Sequence, residues 1–309
     1  MVLRCDIGRM KKLVFHVGAH RTATTFLQRT LKRNSTALTE QGISYVPMNP
    51  DVAKAIDPHN AGAADTADVA RRMAALWPDD ASTVLMSWEA MIGLPYQGGS
   101  LYGERRRFLS ILAQAAAISG RELSTVLTFR RQDDFLNSYY GLMIKAGYVI
   151  TPDEFKARFD IAHLSWGDIF ADLQEIGNAS AVPFEICRTS TEQYIGHVVA
   201  PTGITPTALR LTEPPANEGF GKVALALTAY LNEHAQMDAA ARAGFRKLAT
   251  RLTGGDEKAD IFSQSERDLI VSQCVRGNED ILSTSEAPHA VRPYYQPSFS
   301  PPTNRELCK

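Results

Sequence analysis

Five short apolar runs alternate along the chain with longer segments in which apolar residues recur every three to four positions. Runs of this length are typical of buried strands. The predicted strands are Leu13–Val17, Ile43–Val46, Ser82–Ser87, Leu123–Phe129 and Ala181–Ile186. The predicted helices are Thr25–Leu31, Val69–Leu76, Arg105–Ala117, Asp134–Lys145, Trp166–Ile176, Lys222–Leu231, Ala239–Leu252 and Ser265–Leu282. The segment Asn49–Asp65, rich in Pro, Asn, Asp and Ala, is predicted to be a loop.

Strands that alternate with helices predict a parallel sheet with helices on both faces. After about Thr191 the pattern is mainly helical. We therefore expect an α/β fold with a single domain over residues 11–285, whose C-terminal part is mainly helical. Residues 1–10 are predicted to form an N-terminal tail, and the proline-rich residues 286–309 a loosely ordered C-terminal tail. Ligands of such sheets bind at the carboxyl ends of the strands.

Composition narrows the classes of partner. The 309 residues include 33 basic and 34 acidic side chains, a balance that argues against a nucleic-acid partner held mainly by bulk charge. There is neither a run of 18 apolar residues nor the apolar core of a signal peptide, so no membrane span is expected. The cysteines have no metal-like spacing, which favours a reducing compartment without a metal site, and the missing signal and membrane anchor predict a cytoplasmic location. They are Cys5, Cys187, Cys274 and Cys308.

The segment after the first strand, GAHRTATT, nearly matches the phosphate-binding loop pattern G-x-x-x-x-G-K-[ST]. Gly18 begins the pattern and Thr25 keeps its final hydroxyl, but Ala23 replaces the second glycine and Thr24 replaces the lysine. That lysine normally reaches the β- and γ-phosphates, so its absence argues against ATP. Arg21 supplies a cation elsewhere in the loop, which indicates an anion without a γ-phosphate. The alternative is an ordinary strand–turn–helix with a threonine-rich cap.

A second candidate anion-binding segment follows the fourth strand. Arg130 lies at the carboxyl end of that strand, and Ser138 lies eight residues later in the next helix. A guanidinium and a hydroxyl are suitable donors for a dianionic phosphate. The alternative is that Arg130 is a surface arginine paired with Asp133 or Asp134.

Together the two segments resemble the donor-binding motifs of sulfotransferases, and two later segments, NEGFGKVALAL from Asn217 and FSQSERDLI from Phe262, resemble those of bacterial carbohydrate sulfotransferase-like proteins. HVGAHRTATTFLQRTL is similar to their 5′-phosphosulfate loop, K-[TS]-G-T-[TS], with Arg21 for lysine and Ala23 for glycine. The resemblance implies a P-loop NTPase-like sheet and the donor 3′-phosphoadenosine 5′-phosphosulfate, without a metal. It implies that Arg130 and Ser138 bind the 3′-phosphate. The residues it assigns to the 5′-phosphosulfate are His20, Arg21, Thr22, Ala23, Thr24 and Thr25.

The resemblance also implies an enzyme that transfers a sulfuryl group to a hydroxyl acceptor, such as a glycan or glycolipid. Arg21 would stabilise the leaving phosphate, and a Glu or a His would take the acceptor's proton. Glu89, just beyond the third strand, is the preferred base and His59 the second candidate, whereas His16 is predicted to be a buried structural residue. The alternatives are a P-loop kinase that uses ATP and a nucleotide-binding module without catalysis.

Overall fold

A computed structural model describes residues 10–56, 65–89, 91–97, 100–213, 221–252, 257–284 and 289–297. The strands are β1 Lys12–Gly18, β2 Ile43–Val46, β3 Thr83–Ser87, β4 Glu122–Phe129 and β5 Asn178–Pro183. They form one parallel sheet in the order β2-β3-β1-β4-β5. The predicted α/β class with a parallel sheet is therefore confirmed.

Helices connect the strands and make up most of the chain after β5. They are α1 Thr24–Arg33, α2 Ser35–Thr39, α3 Pro50–Ile56, α4 Thr66–Ala74, α5 Arg105–Ile118, α6 Gln132–Ala146, α7 Pro152–Lys156, α8 Trp166–Ile176, α9 Ile186–Thr189, α10 Thr191–Val199, α11 Lys222–His234, α12 Ala239–Leu252 and α13 Gln264–Thr284. Short 3₁₀ helices cover Ile161–His163, Ala200–Thr202, Pro206–Ala208 and His289–Tyr295. No helix within the described ranges has the length and apolar character needed to cross a membrane.

The central strands β1, β3 and β4 are buried on both faces, as expected of a parallel sheet covered by helices. Helix α5 packs against both α4 and α8. Because parallel crossovers are right-handed, these helices lie on one face of the sheet and α1 on the other.

The register aligns three strand ends at one edge of the sheet. His16 of β1 pairs with Ser87 of β3, and Gly18 of β1 pairs with Thr128 of β4. The segments that follow these three strands therefore begin side by side. This edge is where the sequence predicts a ligand.

One predicted loop and one predicted strand are wrong in part. The segment predicted as a loop contains α3, which begins at Pro50, with the Asn49 side chain accepting hydrogen bonds from the N–H groups of Asp51 and Val52. The fifth strand begins at Asn178 rather than Ala181 and ends at Pro183. Its predicted last residue, Ile186, is the first residue of α9 and is buried there.

The predicted C-terminal tail is partly wrong as well. Residues 289–297 pack on the domain, where Val291 and Tyr295 are buried in the main hydrophobic core. The Tyr295 hydroxyl donates to the carboxylate of Glu185, and the Tyr294 carbonyl accepts from Arg131 at 3.2 Å. Residues 298–309 and the predicted N-terminal tail, apart from its last residue Met10, lie outside the described residues.

Candidate anion site at the sheet edge

The loop between β1 and α1 turns through two left-handed residues. Arg21 has φ 66° and Ala23, which directly precedes α1, has φ 61°. Gly18 is required for a different reason, because a Cβ atom there would lie 2.4 Å from Thr24 Oγ1. The loop thus combines a close backbone approach at Gly18 with a conformation at Ala23 that glycine would adopt without strain.

The first turn of α1 favours an anion. The first N–H groups of a helix lack intrahelical acceptors and carry the positive end of the helix dipole. Ala23 provides no side-chain cap, and the first turn contains no acidic residue. The buried Oγ1 of Thr24 has no hydrogen-bond partner among the residues that the structure describes. Thr25 is exposed in the same turn.

The two candidate segments meet at Arg21. Its Nε donates to the hydroxyl oxygen of Ser138 in α6 at 2.9 Å, across 117 residues of sequence. Because that oxygen accepts from Arg21, the Ser138 proton remains available to an acceptor. Burial lowers the pKa of Arg21, and the nearby charge of Glu89 opposes that change.

Glu89, which follows β3, lies against the same loop. Its Oε1 accepts a hydrogen bond from the backbone N–H of Arg21 at 3.2 Å. Burial raises the pKa of Glu89, while the amide and the charge of Arg21 lower it in part. The carboxylate can therefore take up a proton more readily than an exposed glutamate, and it also braces the loop. His59, the second candidate base, lies outside the described residues.

Arg130 is buried in a cluster of charges beyond β4. Its Nη2 lies 3.7 Å from Asp134, which also approaches Arg188 at 3.1 Å and Arg267 at 3.4 Å. Burial raises the pKa of Asp134, but the charges of Arg130 and Arg188 outweigh this and lower it. Burial lowers the pKa of Arg130 and of nearby Lys258. Three arginines share Asp134, and Glu185 is a second carboxylate whose charge acts on Arg130, so Asp134 by itself neutralises Arg130 only in part.

The alternative interpretation of Arg130 is thus half correct. Arg130 does pair with Asp134, but it is buried rather than at the surface. Its Nε has no hydrogen-bond partner within the described part of the chain. Asp134 and Ser138 are four residues apart in α6 and therefore lie on the same side of that helix, so the Arg130 cluster adjoins the Arg21 contact.

A buried hydrogen-bond chain supports the loop from below. Thr22 Oγ1 donates to the Ala19 carbonyl at 2.7 Å, so it accepts from Thr128, 2.9 Å away. The Thr128 oxygen must then accept from His16 Nε2 at 3.1 Å, which leaves His16 Nδ1 to accept from Ser87 at 2.8 Å. Burial lowers the pKa of His16 to about 3. His16 is therefore the neutral, buried structural residue that the sequence predicts.

His20 is enclosed by two tyrosines. The Tyr102 hydroxyl lies 3.0 Å from the His20 backbone nitrogen and 2.7 Å from its Nδ1. The Tyr139 ring meets the imidazole edge-on at 5.4 Å. Burial, assisted by the charge of Arg21, lowers the pKa of His20 to about 4, so the ring is neutral near pH 7.

Several residues of the site are absent from the sequence prediction. Tyr102 belongs to the connection between β3 and α5, and Tyr194 of α10 donates to the Thr22 carbonyl at 2.6 Å. Arg188 and Lys258 add charge beside Arg130. These residues lie in no motif and far from the loop in sequence, so only the fold brings them to it.

A cavity of about 330 Å³ opens near the segment that follows Glu89. Its walls are mostly apolar, with one acidic and one basic residue. They consist of Ile56, Met91, Ile92, Gly93, Glu104, Arg107 and Phe108.

The fold and the site define an α/β protein with an anion-favouring loop at the carboxyl edge of a parallel sheet. Comparison with protein-family models, with curated protein sequences and with solved structures finds no match for this chain. Among the described residues, no group of three or more His, Cys, Asp or Glu side chains is arranged to hold a metal ion.

Proposed function

We propose that the chain is a sulfotransferase that uses 3′-phosphoadenosine 5′-phosphosulfate and belongs to a P-loop-like structural class. The observation that carries the proposal is the hydrogen bond of 2.9 Å between Arg21 and Ser138. It joins the two segments whose sequences resemble the donor motifs of sulfotransferases. A loop for the 5′-phosphosulfate beside a cluster for the 3′-phosphate is the arrangement that this donor requires.

Charge supports the assignment of the two ends of the donor. The uncapped first turn of α1, the cation of Arg21 and the unpartnered Thr24 hydroxyl suit the 5′-phosphosulfate. The Ser138 proton and the partly neutralised Arg130 suit the 3′-phosphate. Lys258 adds a further positive charge beside Arg130.

In the proposed reaction, the acceptor's hydroxyl oxygen attacks the sulfur and forms a new S–O bond. The S–O bond to the 5′-phosphate breaks, and 3′-phosphoadenosine 5′-phosphate leaves with the bonding electrons. Arg21 and the loop stabilise the charge on that phosphate. Glu89 takes the acceptor's proton, which its raised pKa favours. Thr24, which carries no charge, occupies the position of the lysine in a kinase loop, so ATP is the less favoured donor.

The acceptor is proposed to be a hydroxyl-bearing glycan or glycolipid. A cytoplasmic location also stays a prediction. A nucleotide-binding module without catalysis is the second candidate, because Glu89 is bonded to the loop amide of Arg21 and could be only a brace.

Calorimetric titration tests the donor. We expect 3′-phosphoadenosine 5′-phosphate to bind without Mg²⁺ and more tightly than adenosine 5′-phosphate, because only the former carries the 3′-phosphate. Tight binding of MgATP alone would instead support a kinase. The variant Ser138→Ala should reduce the difference between the two nucleotides, whereas Ser272→Ala, the same change on the exposed side of α13, should not. Equal affinity for both nucleotides in the unmodified chain would contradict the proposal.

An assay of sulfuryl transfer distinguishes an enzyme from a nucleotide-binding module without catalysis. Labelled donor is incubated with plain glycans, glycolipids and small aromatic alcohols, and transfer to any of them supports an enzyme. Nucleotide binding without transfer to any acceptor class favours the module.

A further inference from the structure

The Tyr102 hydroxyl makes two hydrogen bonds to one residue of the loop. Its oxygen accepts from the backbone N–H of His20 at 3.0 Å, and it lies 2.7 Å from His20 Nδ1. Tyr102 is fully buried and lies in the segment that precedes α5, 82 residues from His20. Its own backbone is left-handed, with φ 52°. A strained conformation of this kind persists where surrounding contacts require it.

These two contacts determine where the imidazole proton lies. A hydroxyl has one proton to donate. Among the described residues, His20 Nδ1 is the acceptor within reach of the Tyr102 proton, because the other contact already uses the oxygen as an acceptor. Nδ1 is therefore unprotonated, and a neutral imidazole carries its proton on Nε2. Nε2 itself has no hydrogen-bond partner in the described part of the chain.

The orientation of the ring is fixed as well. Tyr102 stacks on His20 with ring centroids 5.8 Å apart and an interplanar angle of 16°. Tyr139 packs against it nearly perpendicularly, with centroids 5.4 Å apart. The imidazole can neither flip nor swing out without breaking these contacts, so the direction of its N–H is set before any ligand arrives.

We propose that Tyr102 is a positioning residue that holds His20 as a neutral Nε2–H donor to the anion bound by the loop. The inference rests on the proposed function, because the anion is the phosphosulfate end of the donor. A protonated Nε2 cannot remove the proton from the substrate hydroxyl. In this proposal His20 therefore stabilises negative charge, and another group acts as the base. A hydrogen-bond donor whose direction is fixed in advance needs little reorganisation when negative charge develops in the transition state.

Nitrogen NMR of the full-length, histidine-labelled chain tests the tautomer without any ligand. We expect the His20 signals to show a protonated Nε2 and an unprotonated Nδ1. The variant Tyr102→Phe keeps the ring and its stacking but removes the proton that Nδ1 accepts, so its His20 signals should shift toward a mixture of tautomers. A protonated Nδ1 in the unmodified chain would overturn the inference, even if Tyr102→Phe does not fold.

Two substitutions at His20 test the donor. The amide of Gln reaches the position of Nε2, whereas the amide of Asn reaches only that of Nδ1. We expect His20→Asn to weaken binding of 3′-phosphoadenosine 5′-phosphate by about 10- to 100-fold, the effect of losing a hydrogen bond to a charged group. His20→Gln should retain most of the affinity. A purely structural histidine would affect both variants alike.

The outcomes separate this inference from the proposed function. If the unmodified chain binds the nucleotide and His20→Asn binds it equally well, the role of His20 is wrong and the sulfotransferase proposal stands. If the unmodified chain does not bind the nucleotide, both fail. Loss of affinity in His20→Asn and in Tyr102→Phe, with retention in His20→Gln, supports the inference.

Discussion

Replacing Ala23 by glycine should stabilise the protein, although alanine-to-glycine changes usually do the opposite. Ala23 has φ 61° and ψ 20° and directly precedes α1. An L-residue in this left-handed region costs about 1–2 kcal/mol. Glycine avoids that cost but gives the unfolded chain more freedom, which offsets about 0.4–1 kcal/mol. Glycine is also the better residue at the start of a helix. The net expectation is a gain of about 0.5–1 kcal/mol.

A matched variant isolates the backbone effect. Ala113→Gly makes the same change inside α5, at a half-buried position with helical geometry, and should cost about 1 kcal/mol. The free energies of unfolding of the two variants should therefore differ by about 1.5–2 kcal/mol, in favour of Ala23→Gly.

Urea unfolding at equilibrium measures this difference, provided that the slope of free energy against urea is the same in all three proteins. In a chain of 309 residues, the gain at Ala23 corresponds to a melting temperature about 1–2 °C higher. If Ala23→Gly lost as much stability as Ala113→Gly, the left-handed conformation would carry no cost and the strain argument would be refuted.

Three further predictions concern charge. The pKa values of His16 and His20 are about 3 and about 4, below the ordinary 6.5, so in acid the unfolded chain binds protons that the folded chain does not. Stability should fall by about 2 kcal/mol per histidine from about pH 7.5 to about pH 5, and His20→Gln should halve this loss in pH-dependent urea unfolding. In calorimetry, Arg21→Ala should weaken nucleotide binding more than Arg21→Lys does, because Lys keeps the positive charge and loses only the Nε bond to Ser138. Equal losses of affinity in the two variants would argue against a role for the charge. Glu89→Gln should slow turnover by about 10²-fold and leave nucleotide affinity normal, because the Gln oxygen still accepts from the Arg21 N–H. Glu89→Ala should also lose nucleotide affinity. Normal turnover in Glu89→Gln would exclude Glu89 as the base.

The fold was largely predictable because the central strands are short, mainly apolar runs of the kind that a parallel sheet covered by helices buries on both faces. The errors lie where that signal is weak. Among the described strands, β5 pairs with β4 alone, and it begins with half-buried or exposed polar residues such as Asn178 and Ser180. The apolar run in its sequence therefore covers only the end of the strand and the buried turn that follows. Helix α3 is not predicted from the apolar pattern, although Asn49 followed by Pro50 is a helix-start signal.

The candidate site was predictable only as far as local motifs reach. The loop and the Arg130–Ser138 segment are recognisable from spacing, and the order of parallel strands implies that they adjoin. Motif spacing and strand order do not predict the direction in which a side chain points. That Arg130 is buried beside Asp134, and that Tyr102 contacts His20, depends on how distant helices and connections pack over the sheet edge.

The loop differs from a glycine-rich phosphate loop in how its shape is maintained. Three consecutive residues are each held at the backbone by a distant side chain: Tyr102 accepts from the N–H of His20, Glu89 accepts from the N–H of Arg21, and Tyr194 donates to the carbonyl of Thr22.

Left-handed residues other than glycine persist when surrounding contacts require their conformation, and these three bonds precede Ala23 directly. In this loop, tertiary contacts impose the left-handed conformations that glycine would adopt freely, and the backbone at Arg21 and Ala23 is strained as a result. It follows that the shape of the loop, and any affinity for anions that depends on it, should be sensitive to Tyr194, a buried residue on α10 whose hydroxyl bonds to the loop backbone and to Thr128. Loss of nucleotide affinity in Tyr194→Phe, which removes only the hydroxyl, would distinguish this arrangement from a loop that holds its own conformation.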